Sequence, residues 1–273
     1  MRRSTCILSI IMVVSLASLS YAALDDGIVG YWPLEGSAKD GSGYGNNGVV
    51  IGNPRNVAGK VGMALDFDGD DAIEIASVPV LEIDDTLTAA CWIFPRAILD
   101  AAGNDHAGIF WKGNMIGWGS DAYNWRIATA SDMGLTWGST GGGVEGYFAT
   151  ANCFVNGLDT WYHVALVENG SEGRAYVNGV ELADADVTGG DMHRPAAPFD
   201  TWPSEPIRIG YSQGRDGDLA KLVFFDGIID EAILYDRALS ANEVNDLMNS
   251  GLPTTAVEPG DKLTTTWSSI KAD

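Results

Sequence analysis

The sequence predicts an all-β sandwich with one short C-terminal helix. Three observations predict it. Short β-branched and aromatic runs recur at close spacing, glycine is abundant at 34 of 273 residues, and no strand–helix alternation appears. No repeat period of the solenoid or propeller kind is present.

The elements follow in chain order. Arg2 and Arg3, the apolar run Ile7 to Leu19 and the small residues around Ser20-Tyr-Ala22 read as a signal peptide, residues 1–22, cleaved after Ala22. The run is short for a membrane span, so no insertion is expected after cleavage. Residues 27 to 35 form the first strand, with Val29, Tyr31 and Leu34 toward the core, and residues 36 to 48 form a Gly/Asn-rich loop. Val49 to Ile51 starts a short strand. Met63 to Phe67 and Ala72 to Ile75 flank Asp68-Gly-Asp-Asp71, whose turn chemistry predicts a hairpin. Leu87 to Phe94 is apolar enough for a central strand, and Pro95 ends it. Between 97 and 160, strands are expected at Ala107 to Lys112, Asn124 to Thr129 and Tyr147 to Thr150, joined by long loops. Tyr162 to Glu168 and Gly173 to Val177 pair around Asn169-Gly170, and Asn178-Gly179 makes the next turn. A proline-rich loop spans 184 to 206, and Ile207 to Tyr211 is a strand. Ile228 to Tyr235 is a strand buried on both faces, so its acids Asp230 and Glu231 need partners. Ser240 and Glu243 make a capping box for the helix that Gly251 stops. Residues 23–252 make one domain, and 253–273 form a tail.

The formal charge is −21. Loss of the leader leaves 14 of the 16 basic residues against 37 acidic ones, a charge of −23. Such a surface disfavours nucleic acid and anionic membranes, and it is compatible with divalent cations. Cys91 and Cys153 survive cleavage. An exported pair forms either one disulfide or two buried small residues.

Five stretches carry a resemblance. They are Gly30-Tyr-Trp-Pro-Leu-Glu with Asp40 to Gly48, Gly59 to Asp71, Leu87 to Trp92, Trp161 to Ala165 with Tyr176 to Gly179, and Gly227-Ile-Ile-Asp-Glu to Ser240. Together they resemble laminin G-like domains of the concanavalin A-like lectin/glucanase superfamily. The resemblance implies a two-sheet antiparallel jelly roll whose first and last strands are adjacent. It also implies calcium near that junction, with Asp40, Asn46, Asp230 and Glu35 as ligands. Calcium takes about six to eight oxygens, and the Asp40–Gly48 loop is rich in them. Asp40 and the asparagines also suit Asx turns, Asp230 could pair with Arg237 or Arg208, and the acidic turn Asp66 to Asp71 is a rival cation site.

A recognition module is the expected function, with a glycan or polysaccharide as first partner and an extracellular protein as second. Sugars dock on aromatic faces beside a few fixed polar groups. Trp111, Trp118, Trp125, Trp137, Trp202 and Tyr211 are the candidate platforms, with Asp121, Asn124 and Arg126 as polar partners; each tryptophan is equally suited to packing. Glycoside hydrolysis is the minor alternative. The resemblance implies acids on alternate residues of one strand, as Glu-x-Asp-x-Glu, but Glu82-Ile-Asp84-Asp-Thr86 lacks the third acid. No catalytic residue is assigned.

Overall fold

The most apolar run of the chain becomes its central strand. β6 (Thr86–Pro95) points Leu87, Ala89, Cys91 and Ile93 one way into the main core and Ala90 and Trp92 the other way. The structure is a computed structural model. It describes residues 24–252 except 101, 105, 114–122, 132, 142–143, 184–186, 191–204 and 214–219.

Two antiparallel sheets form a sandwich. The first runs β13 (Val180–Glu181), β12 (Gly173–Val177), β11 (Tyr162–Asn169), β6, β18 (Asp226–Tyr235), β4 (Met63–Asp68), β3 (Arg55–Ala58), with β1 (Ile28–Trp32) also on β18. The second runs β14 (Val187–Gly190), β10 (Val144–Thr150), β9 (Gly134–Gly141), β8 (Tyr123–Ala130), β7 (Gly108–Gly113), β15 (Ile207–Ile209), β5 (Ala72–Ile75), β2 (Gly48–Ile51). A ribbon of β16 (Tyr211–Gln213) and β17 (Leu222–Phe224) lies apart. Between the sheets sit Trp32, Phe67, Phe110, Trp125, Trp137 and Ile229, all within one buried cluster. Each Leu or Ile buried there contributes about 1.5–3 kcal/mol.

A second, smaller core lies on the other side of the first sheet. Ala90, Val167, Ile233 and Tyr235 meet Val244 and Leu247 of the helix α1 (Ala241–Ser250). The predicted capping box forms: Ser240 Oγ accepts from Glu243 N, and Glu243 accepts from Ser240 N.

β18 pairs with β6 along one edge. Its other edge is shared: Asp226 to Ile229 face β4, and Ala232 to Tyr235 face β1. At the handover the register slips, and Glu231 takes φ 54°, a left-handed conformation unusual for glutamate.

Several expectations need correction. Asp68-Gly-Asp-Asp71 does not close a hairpin: β4 pairs in the first sheet and β5 in the second, so the turn crosses between layers. Turn chemistry fixes the reversal but not the pairing partner. Tyr31 points away from the main core, opposite to the buried Val29 and Leu34. β9 and β14 were not anticipated, because their glycine and threonine content resembles loop. Cys91 and Cys153 are both free and buried. The leader and residues 253–273 lie outside the described residues.

Candidate functional site

Alternation along the second sheet sorts its side chains. Ile73, Ile75, Phe110, Ile127, Ile207 and Ile209 enter the core. The register then lines up Glu74, Arg208, Trp111 and Arg126 as a row across β5, β15, β7 and β8, on the face turned from the core. Tyr211 of the ribbon closes over this row. Arg208 Nε donates to Tyr211 Oη at 3.0 Å, and Nη2 donates to Glu205 at 2.7 Å and to Gln213 Oε1 at 2.9 Å. Arg208 Nη1 donates to the Gly113 carbonyl, and Tyr211 Oη donates to Glu74. Trp111 Nε1 donates to the Tyr211 carbonyl at 2.6 Å. The Arg208 guanidinium also stacks near the Trp111 and Tyr211 rings, 5.4 and 5.6 Å from their centroids.

Electrostatics follow from that packing. Burial, then the bond to Glu74, pushes the Tyr211 hydroxyl up to about 12. Arg208 is 3% exposed, and its donors are spent inside the protein. Its role is therefore to hold its neighbours. Glu74, Glu205 and Gln213 are only part-buried, so they form a polar rim within reach of a ligand. A rigid guanidinium with oriented acids and an amide at its edge can fix hydroxyl groups by hydrogen bonds.

Of the sequence candidates, Trp111, Arg126 and Tyr211 come together on this face. They do so as buried supports rather than as open loop platforms. Trp125 and Trp137 do not join them. Each lies on a strand with its ring in the core: Trp125 meets Phe110 edge-on at 4.9 Å, and Trp137 Nε1 donates to Thr150 Oγ1 at 3.0 Å. Their positions two residues away from a core isoleucine or leucine carry that signal in the sequence. Trp118, Asp121 and Trp202 lie outside the described residues, as does the side chain of Asn124 on β8. Sequence reasoning missed Glu74, Glu205, Arg208 and Gln213. A charged residue between isoleucines, as in Ile73-Glu74-Ile75 and Ile207-Arg208-Ile209, was the available signal.

The four residues considered for calcium divide into two places. Asp40 organises its own loop: Oδ1 accepts from Tyr31 N (3.1 Å) and Ser42 N (2.8 Å), and Oδ2 from Ser42 Oγ and Asn46 N (both 2.8 Å). Asn46 Nδ2 donates to the Val29 carbonyl at 3.1 Å, and Asn46 O accepts from Trp32 Nε1 at 2.9 Å. These groups are occupied as Asx-type bonds, on the β1 edge away from β18.

Glu35 and Asp230 meet instead at the turn between β3 and β4. Asp230 Oδ2 accepts from Lys60 N (2.8 Å) and Val61 N (3.0 Å), and Glu35 Oε2 accepts from Met63 N (3.0 Å). Asp230 pairs with neither Arg237 nor Arg208. Its Oδ1 is fully buried and has no hydrogen-bond partner among the described residues. The turn needs glycine: a Cβ on Gly59 would stand 2.5 Å from Asp230 Oδ2, and one on Gly62 would stand 2.0 Å from Glu35 Oε1. Burial pushes Asp230 up to about 6, against the pull of its backbone donors and helped by the nearby Glu35 charge. Burial likewise pushes Glu231 up to about 7, opposed by the 2.7 Å bond from Tyr31 Oη. Two crowded carboxylates and a stranded oxygen fit a hard divalent cation.

Asp68, Asp70 and Asp71 also bring one oxygen each within 4.8 Å of one another. Asp71 spends its oxygens on Asn53 N and Asp68 N. The glycosidase-like acids are not on one strand. Glu82 caps the 3₁₀ turn Pro79–Leu81 and pairs with the buried Lys112 at 2.8 Å, while Asp84 is exposed in the link to β6.

Comparison with known proteins agrees with the sandwich fold. A laminin G family model, described as the concanavalin A-like lectin/glucanases superfamily, matches residues 67–245. No curated protein matches. Among solved structures, domain 4 of AbnA, a GH43 extracellular arabinanase from Geobacillus stearothermophilus in complex with arabinotriose, is 17% identical with a TM-score of 0.52, covering 81% of this chain and 98% of that one. The binding domain of Paraclostridial mosquitocidal protein 1 is 20% identical with a TM-score of 0.57, covering 83% and 53%. A botulinum neurotoxin type C structure, whose study ties cell entry to two ganglioside molecules, is 14% identical with a TM-score of 0.60, covering 85% and 53%. The chain thus spans about half the length of the two toxin chains.

Proposed function

The chain belongs to the concanavalin A-like lectin/glucanase superfamily, and we propose that it serves as an exported, non-catalytic carbohydrate-binding module. The observation that carries this reading is the Glu74–Arg208–Trp111–Arg126 row beneath Tyr211, with Glu74, Glu205 and Gln213 at its rim. The arabinotriose-bound domain and the ganglioside-dependent toxin support a glycan as the partner. The test is residues 23–273 against a polysaccharide and glycan panel, reading binding and reducing-sugar release together. Binding without release is expected, weakened about tenfold or more by Glu74→Gln or Gln213→Ala at unchanged melting temperature. Sugar release, or binding that ignores both variants, defeats the proposal.

Calcium is part of the same proposal. Glu35 and Asp230 would hold it, with Asp40 and Asn46 shaping the neighbouring loop. Bound there, it would supply the positive charge that two crowded carboxylates lack. Export rests on the Arg2-Arg3 and Ile7–Leu19 leader. N-terminal sequencing of secreted protein should begin at Ala23.

A further inference from the structure

A pocket of about 190 Å³ opens on the helix side of the first sheet, away from the carbohydrate face. Its floor is Trp92 of β6, flanked by His163 of β11 and Ile233 of β18. Tyr31 and Glu231 form one wall, and the last turn of α1 forms the other. The Lys60 ammonium lies over the Trp92 ring, 4.3 Å from its centroid.

Three features give this pocket one electrical preference. The Glu231 carboxylate at its wall accepts a hydrogen bond from Tyr31 Oη and has no ion pair among the described residues. The last turn of α1 carries no basic residue, so the negative end of the helix dipole meets the pocket uncompensated. The face of an indole attracts cations. His163 adds a further sign of a ligand. It is 2% exposed, and its Nδ1 has no hydrogen-bond partner among the described residues although the ring lines the pocket.

We propose that this pocket binds a small organic ammonium group, seated on Trp92 and facing Glu231. Lys60 is the pocket's internal substitute. Its side chain is exposed and, apart from the Trp92 ring, has no ion pair among the described residues, while its backbone N donates to Asp230. It can swing into solvent and give up the indole face. The shared chemistry has two sources, a free amine or the amine of an amino sugar. The inference does not depend on the carbohydrate face, whose row lies on the second sheet beneath the β16–β17 ribbon.

The probe is methylammonium, followed through the Trp92 indole N–H resonance, which Trp92→Phe assigns. Removing the internal competitor with Lys60→Ala should give a saturable shift, with an apparent affinity about tenfold tighter than in the unaltered chain. Lys60→Ala combined with Glu231→Gln, a shape-conserving change, should lose that gain about tenfold or more. Glucose should produce no shift in either. Glucosamine tighter than methylammonium would assign the amino-sugar source, and equal affinities would assign any small amine. The proposal is overturned if Lys60→Ala gives no saturable shift up to about 100 mM methylammonium, a range that covers millimolar sites. It is also overturned if glucose matches methylammonium, or if Glu231→Gln leaves the affinity unchanged in a protein that melts normally.

Discussion

Replacing Asp230 by Asn should stabilise the metal-free protein at high pH. Asp230 is fully buried, one oxygen accepts from Lys60 N and Val61 N, and the other has no partner among the described residues. An amide oxygen can keep both accepting bonds while the charge disappears. Burial holds the carboxyl near 6 against an ordinary 3.8. A carboxyl raised on folding favours the folded state only while protonated. Its contribution is therefore full below about pH 3.8 and is lost as the pH climbs through about 6. At about 1.36 kcal/mol per pH unit, the loss comes to about 3 kcal/mol, an upper figure because water relaxes around a real charge. The Asn variant does not incur that loss. The melting-temperature difference between variant and parent should thus move in favour of Asn by about 6–12 °C from pH 4 to pH 8 in EDTA, at about 2–4 °C per kcal/mol for a domain of this size. Adding calcium at pH 8 should raise the parent and leave the variant unmoved. A difference that is the same at both pH values would refute the reasoning about burial. A variant that gains as much from calcium as the parent would remove Asp230 from the metal site.

Four further outcomes are expected. Asp40→Ala should lower stability by about 2–3 kcal/mol through the loss of acceptors for Tyr31 N, Ser42 and Asn46 N, and equal melts in EDTA and calcium would identify it as a loop organiser. Glu82→Ala leaves the fully buried Lys112 ammonium with the Glu205 carbonyl and Ser77 Oγ but without its paired carboxylate, and should cost about 3 kcal/mol in denaturant titration, whereas Glu82→Gln should cost less. Ser240→Ala removes the cap of α1 and should cost about 1 kcal/mol, read from urea midpoints at constant slope. Cys91 and Cys153 should resist a thiol reagent in the native protein and react with it on unfolding, since burial raises the Cys91 thiol far above its ordinary range; silence after unfolding without reductant would mean a disulfide.

The sequence carried most of the frame because local rules and global packing agree there. The Ser240–Glu243 capping box, the Asn169-Gly170 turn and the doubly buried β18 all stand as read. Sheet membership was harder to read. The residues of Asp68-Gly-Asp-Asp71 make a reversal whether the next strand pairs with β4 or crosses to the other layer, and only the distant partners β18 and β15 decide. The site was legible in composition more than in place. Tryptophan and arginine between 111 and 126 were singled out, but period-2 alternation divides those the structure describes. Trp125 turns inward while Trp111 and Arg126 turn outward. The link from Glu74 to Arg208 spans two strands far apart in the chain, and no spacing rule reaches across it. Asp40 and Asp230 were expected to converge because β1 and β18 pair. They pair indeed, but Asp40 accepts from Tyr31 N in its own loop, whereas Asp230 accepts from Lys60 N and Val61 N in the turn between β3 and β4.

The shared edge of β18 also governs when the fold can close. β1, β4 and β6 each wait for β18, which begins only at Asp226. As the polypeptide emerges from the ribosome, more than 200 residues are made before the first sheet can acquire the strand that joins its two parts. Until then the nascent chain holds open edges and unburied apolar faces, a state in which a chaperone can retain it. Completion of β18 ends that period for three strands at once, and Tyr235 Oη then donates to the carbonyl of Leu24, tying the last strand to the beginning of the described chain.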